Sequence, residues 1–264
     1  MHITASIHLL SRLYHRYALV TIMYGIELST QNKEIWMIND SFRMFVKRGN
    51  KITSKLILEI LSFYREEKRG YVTINMRMLV GLMYKNYQKN YASNCKKNIY
   101  KELENLSNFE YVFDGEKERL FERIDIYDDG LIIIHINETH INYILYIKSR
   151  PLDEKTGYFI IDTSELNRFE SKSFYIPIWL EILRFTNNNF TMNKIILRSL
   201  YERIGIVSQK KYKYFNYRIL KPAIEYILTI TSSLSCDIDK IKLNYGAIDL
   251  VITRNGQVID DNKA

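Results

Sequence analysis

The stretch from Thr191 to Arg254 constrains the fold more than any other part of the chain. Thr191 is a residue type that caps helices, and Leu197, Leu200, Tyr201 and Ile204 follow it at helical spacing before Gly205 closes the run. A longer helix is expected from about Lys211 to Thr229. Pro222 falls inside that helix and must kink or split it, because proline lacks the backbone donor a helix interior needs. Two strand-like runs, Asp237 to Leu243 and Ile248 to Thr253, flank a turn at Asn244-Tyr245-Gly246. From Lys194 to Lys221 the residues Lys194, Arg198, Arg203, Lys210, Lys211, Lys213, Arg218 and Lys221 stand against the single acid Glu202. Tyr201, Tyr212, Tyr214, Phe215 and Tyr217 are interleaved with them. Basic charge with embedded aromatics on one helical region is the footprint of nucleic-acid binding.

The first half repeats the pattern without repeating the sequence. Ser54 is placed to cap a helix with Leu56, Ile57, Ile60, Leu61 and Tyr64 on one face, ending at the charged run Arg65 to Arg69 and Gly70. A short strand at Tyr71 to Ile74 comes next, then a helix near Met76 to Tyr84 and a polar turn from Asn86 to Asn90. A third helix from Ser93 carries Ile99, Leu103 and Leu106. Strands are expected at Tyr111 to Phe113, Leu120 to Ile126 and Leu131 to Ile136, separated by Asp114-Gly115 and Asp128-Asp129-Gly130, because glycine takes the positive φ that tight hairpin turns require. Helix, strand, helix, turn, helix and hairpin is the order of a winged helix. The second half shows a first helix at Phe174 to Phe185, with Pro177 tolerated in its opening turn, before the stretch described above.

The expected class is therefore α+β, with two tandem winged-helix domains and an N-terminal helical extension. The extension spans residues 1–30, on which Ile3, Ile7, Leu10, Tyr14 and Tyr17 recur at helical spacing. The first winged-helix domain spans 31–150; the resemblance set out below implies that it serves dimerisation and DNA contact. A connecting helix at about Glu138 to Lys148 ends before Ser149-Arg150-Pro151, since proline restricts its predecessor away from helix, and the boundary falls between Lys148 and Gly157. The second winged-helix domain, the main DNA-binding one, spans 155–255, and 256–264 is a tail.

At 264 residues and 47% hydrophobic, the chain can bury a sizeable core. Its formal charge of +8 favours a polyanionic partner. Lys, Ile, Asn and Tyr are abundant and share AT-rich codons, so the distribution of charge says more than its sum. Cys95 and Cys236 lie far apart with no Cys-x-x-Cys spacing, which points to neither a zinc site nor a disulfide framework and fits a reducing cytoplasm. Ile3 to Met23 is interrupted by Arg12, His15 and Arg16, so neither a membrane span nor a cleaved leader is expected there.

The residue types assign roles within the basic stretch. Lys210, Lys211 and Lys213 suit phosphates at the helix start, and Lys194, Arg198 and Lys221 are further candidates for DNA contact. Arg218 suits a guanine edge, and Tyr214 and Tyr217 suit a phosphate or a thymine methyl. In the first half, Lys96, Lys97 and Lys101 share the third helix with Asn94 and Asn98, whose amides suit adenine, while Glu102 and Glu104 dilute the charge. Lys117, Arg119, Lys240 and Lys242 lie where a wing would follow the backbone.

Enzyme readings fare worse. His135 and His140 each sit in a His-Ile-Asn triplet, not in the His-hydrophobic-His pair of rolling-circle initiators, and among 21 tyrosines a single one signals nothing. The cluster His135, Glu138 and His140 lacks the regular helical spacing of a zinc motif. Asp125, Asp128 and Asp129 occupy a turn, where Asp is favoured in any case. No glycine-rich phosphate loop is present. No catalytic residue, metal or cofactor is expected.

The segment Leu200-Tyr201-Glu202-Arg203-Ile204-Gly205-Ile206, followed by Tyr214-Phe215-Asn216-Tyr217-Arg218-Ile219-Leu220-Lys221-Pro222-Ala223-Ile224-Glu225-Tyr226-Ile227, resembles the second winged helix of iteron-binding plasmid replication initiator (Rep) proteins. Where that family often places Asn after its Glu-Ile pair, Leu228 follows Ile227 here. The resemblance covers about a quarter of the chain; the first half matches in architecture alone. It implies binding to directly repeated double-stranded DNA at a replication origin, origin melting, and recruitment of host replication proteins including the helicase. It also implies a homodimer in equilibrium with monomer that represses its own promoter. Two other classes stay open: a winged-helix transcription regulator or DNA partition protein, and a protein–protein interaction module whose basic face is merely solvated.

Overall fold

The computed structural model describes residues 28–38, 53–64, 70–84, 92–108, 110–113, 116–146, 157–169, 175–186, 192–196, 220–231, 234–236, 242–244 and 247–254. In chain order the elements are β1 (Glu34–Ile38), α1 (Thr53–Ser62), β2 (Tyr71–Asn75), α2 (Met76–Met83), α3 (Ala92–Ser107), β3 (Glu110–Phe113), β4 (Glu116–Arg119), β5 (Phe121–Ile126) and β6 (Leu131–Ile136). They continue with α4 (Glu138–Ile144), β7 (Tyr158–Asp162), α5 (Thr163–Leu166), α6 (Ile176–Thr186), β8 (Met192–Ile196), α7 (Lys221–Ile230), β9 (Leu234–Cys236), β10 (Lys242–Asn244) and β11 (Ala247–Arg254). These elements gather into two compact units that interleave along the chain. One holds residues 28–32, β2, most of α2, α3 and β3 to β6; the other holds β1, α1 and the elements from Thr139 onward.

In the first unit, β2, β6 and β5 form an antiparallel sheet with β6 in the middle. The sequence of β6, Leu-Ile-Ile-Ile-His-Ile, suits a central strand, and all its residues except His135 are buried. The β5–β6 turn is the expected one. Gly130 sits at φ +85°, a region open to glycine, and the Asp129 carboxylate accepts from the Leu131 amide at 3.0 Å. On the outer edge of β2 the Ser29 amide donates to the Thr73 carbonyl at 2.8 Å, and Leu28 packs on Leu131 and Ile133. Helix α3 packs on β5, its apolar stripe formed by the buried residues Cys95, Ile99, Leu103 and Leu106. Strands β3 and β4 pair antiparallel, with Phe113 opposite Glu116; Asp114 and Gly115, expected to turn between them, lie outside the described residues. The expected single strand from Leu120 is thus preceded by a separate one, β4.

In the second unit, β11 is the hub of a sheet ordered β10–β11–β8, with β9 also paired to β11. Helix α6 begins Ile176-Pro177, so the proline falls in the first turn, and Trp179 at its centre is fully buried against Phe169, 4.9 Å away. Helix α7 is tied down at its end. The Arg168 guanidinium donates to the Ile230 carbonyl at 2.7 Å, and the Tyr226 hydroxyl donates back to the Arg168 carbonyl at 2.9 Å. Pro222 lies at the opening of this helix, where its missing donor costs nothing.

The structure corrects three expectations. Residues 192–196 form a strand paired with β11, not the start of a helix capped by Thr191. Met-Asn-Lys-Ile-Ile is short and ends in β-branched residues, and an available partner strand decides such a segment. Helix α1 is not amphipathic in the fold: every residue from Ser54 to Tyr64 is buried, including Lys55 and Glu59, whose charged ends lie 3.9 Å apart. Ser54 lies inside α1, which starts at Thr53. Strands β1 and β7, which the sequence did not announce, pair antiparallel from Glu34↔Asp162 to Ile38↔Tyr158.

Both larger sheets share one wiring. The last strand (β6, β11) pairs with an earlier one (β2, β8) and with the strand just before it (β5, β10); β11 pairs with β9 as well. This is a mixed α+β architecture of helices and small antiparallel sheets, consistent with a winged-helix-like fold.

Candidate nucleic-acid interface

The best-defined basic surface is the outward side of α3. At about 100° per residue, its buried residues Cys95, Ile99, Glu102, Leu103 and Leu106 fall on one continuous arc. The exposed residues Asn94, Lys97, Asn98 and Lys101 stand at i, i+3, i+4 and i+7, the spacing of a single stripe; Lys96 and Tyr100 are exposed too, Lys96 at the border of the buried arc about 100° from Lys97. Glu102, expected to dilute the charge, is only 5% exposed and lies on the inner arc. Glu104 remains exposed one turn beyond Lys101. The first turn of α3 has no acid, so the lysines add to the positive end of the helix dipole. The side chains of Asn94, Lys96, Lys97, Asn98 and Lys101 engage no hydrogen-bond or ion-pair partner among the described residues.

The neighbouring hairpins are less suited to a polyanion. The β5–β6 turn carries Asp128 and Asp129, and Asp125 on β5 lies 2.9 Å from the Arg123 Nε and 3.2 Å from the His135 Nε2. Arg119 on β4 sits 3.8 Å from Glu110 on β3, so its charge is already partly answered. Arg77, on α2, is exposed.

Of the residues expected in the second basic region, the described ones are spread over three elements. Lys194 lies on β8 and Lys242 on β10, and both are registered opposite Asp249 of the central strand β11. Lys194 is accordingly not part of a basic helix. Lys221 opens α7, about half exposed, with its amine 4.0 Å from the Glu225 carboxylate. The apolar part of the motif that resembles Rep proteins has a plain packing role: Leu220, Ala223, Ile224 and Ile227 are fully buried. Arg198, Lys210, Lys211, Lys213, Tyr214, Tyr217, Arg218 and Lys240 lie outside the described residues.

Among the described residues no group of three or more His, Cys, Asp or Glu side chains is arranged to hold a metal ion. His135 is engaged by Arg123 and Asp125, and Cys95 is buried with a free thiol. No helix among the described residues is long and apolar enough to cross a membrane.

No family model matches the chain, and no curated protein matches it in sequence. Among solved structures, it is similar in outline to a crystal structure of domains 2 and 3 of RctB. The TM-score is 0.41 at 8% identity, over 86% of this chain and 93% of that one. A likeness of that size carries no inference about site residues or activity.

Proposed function

We propose that this chain is a non-enzymatic, sequence-specific double-stranded DNA-binding protein with tandem winged helices, acting in the cytoplasm as a replication initiator on repeated origin DNA. The observation that carries the DNA reading is the α3 stripe, where Lys97 and Lys101 alternate with Asn94 and Asn98 on an exposed face cleared of Glu102. Lysines there suit phosphates and the two amides suit adenine edges in the major groove. The equivalent wiring of the two larger sheets supports a tandem arrangement. The initiator reading rests on the likeness of Leu200–Ile227 to Rep proteins. It extends to a dimer that recruits the host initiator and helicase.

The direct experiment replaces Lys96, Lys97 and Lys101 together by Ala and measures duplex affinity against salt by fluorescence anisotropy. Each lost phosphate contact lowers the slope of log K against log salt by about 1. The expected outcome is a slope reduced by two or three such steps on every DNA sequence; an unchanged slope sinks the assignment of α3. A map of protected DNA showing direct repeats spaced by about two helical turns supports the initiator over a simple regulator.

A further inference from the structure

We infer that the outward face of the β1–β7 ribbon is a docking surface for an arginine-bearing segment of a partner protein, at a place distinct from the basic α3 stripe. Alternation along the ribbon sends Ile35, Met37, Phe159 and Ile161 into the core, each no more than 3% exposed. The other face carries Glu34, Trp36, Tyr158, Ile160 and Asp162, with Ile38 buried at the end of β1 opposite Tyr158. Tyr146 joins them, because its amide donates to the Trp36 carbonyl at 2.8 Å.

Three partly exposed rings meet here, nearly parallel. Tyr146 and Tyr158 stack at 4.5 Å and 8°, Trp36 and Tyr158 at 5.3 Å and 14°, and Trp36 and Tyr146 at 5.7 Å and 21°. All three pairs stack, so the rings close into one cluster. The Trp36 Nε1 donates to the Glu34 Oε2 at 2.9 Å, which fixes a carboxylate at the rim of the indole. Glu34 faces Asp162 directly across the strands. Like charges in that position cost stability, and Asp162 is only partly occupied by capping the Ser164 amide at 2.7 Å.

A clustered aromatic surface with acids at its edge selects its occupant by charge. Nucleic-acid bases stack on such rings, but their phosphates would meet Glu34 and Asp162. A guanidinium instead gains from both features. It lies flat on Trp or Tyr faces, and it donates in a fork to a carboxylate, relieving the Glu34–Asp162 opposition. Lysine satisfies only the charge.

The test titrates the full chain with a fluorescein-labelled Gly-Arg-Gly-Arg-Gly peptide, its lysine twin and a labelled oligothymidine of eight nucleotides. Saturable binding of the arginine peptide, about tenfold tighter than the lysine twin, is expected. Glu34→Gln should weaken it several-fold. Trp36→Leu should abolish the preference for arginine, and Trp36→Phe should restore part of it with an unchanged circular dichroism spectrum. Three results would overturn the inference: no arginine preference in the wild type, a preference that survives Trp36→Leu, or oligothymidine displacing the arginine peptide in a manner that Trp36→Leu removes.

Discussion

Asn98 shows how much one side chain can decide. It is exposed on the stripe that holds Lys97 and Lys101, and under the proposed DNA-binding role an amide there would make a two-pronged contact to adenine. Asn98→Ala should relax preference at one base pair, at a cost of about 1–3 kcal/mol, in a competition assay across single-base variants of the bound site. A uniform loss on all variants would make Asn98 a backbone contact. Tyr175 gives a second residue-scale case. Burial, and after it the Glu225 carboxylate, raise its phenol above the ordinary 10.0. The folded state thus holds this proton more tightly than the unfolded one, and its contribution is intact below pH 10 and shrinks as pH rises beyond it. Chemical denaturation of wild type and Tyr175→Phe should therefore show the wild type losing more stability between pH 9 and pH 11; parallel losses would contradict the assigned cause.

At the scale of elements, local signals and tertiary pairing divide the outcome. The Asp129-Gly130 turn was legible because its chemistry is local. Gly130→Ala should destabilise by about 1 kcal/mol, the left-handed strain less the gain from a stiffer unfolded chain. The new Cβ would meet the Met76 Cβ at an ordinary 3.5 Å, so the backbone and not a clash sets the cost. Thermal unfolding checks this, and a neutral or stabilising result would mean the turn relaxes. Helix α3 was equally legible, since Ile99, Leu103 and Leu106 mark its buried stripe without help from elsewhere. Residues 192–196 were not. Their strand exists because β11 offers a partner from Ala247 to Ile252, more than fifty residues away, and no window of local sequence contains that partner. The same holds for β1, whose partner β7 begins at Tyr158.

For the whole molecule, charge sets the expected behaviour. A chain of net charge +8 should bind duplex DNA with an affinity that falls steeply as salt rises, through counterion release. Absence of binding at low salt would remove both the initiator and the regulator readings, leaving an interaction module. The candidate site was half legible. Lys97 and Lys101 share one exposed face of α3 and Lys96 is exposed at its flank, whereas Lys194 and Lys242 lie on strands, each opposite Asp249 in register, a placement visible only once the strands are paired. The sequence by itself determined what depends on neighbours within a few residues: the Asp129-Gly130 turn, the opening proline of α6, the period of α3 and the basic balance. Only the tertiary structure decided which segments became strands, that α1 is buried on every side with Lys55 and Glu59 inside, and that Glu102 turns inward. Those outcomes depend on surfaces brought together from distant parts of the chain, and burial is a property of the assembled fold that no local pattern contains.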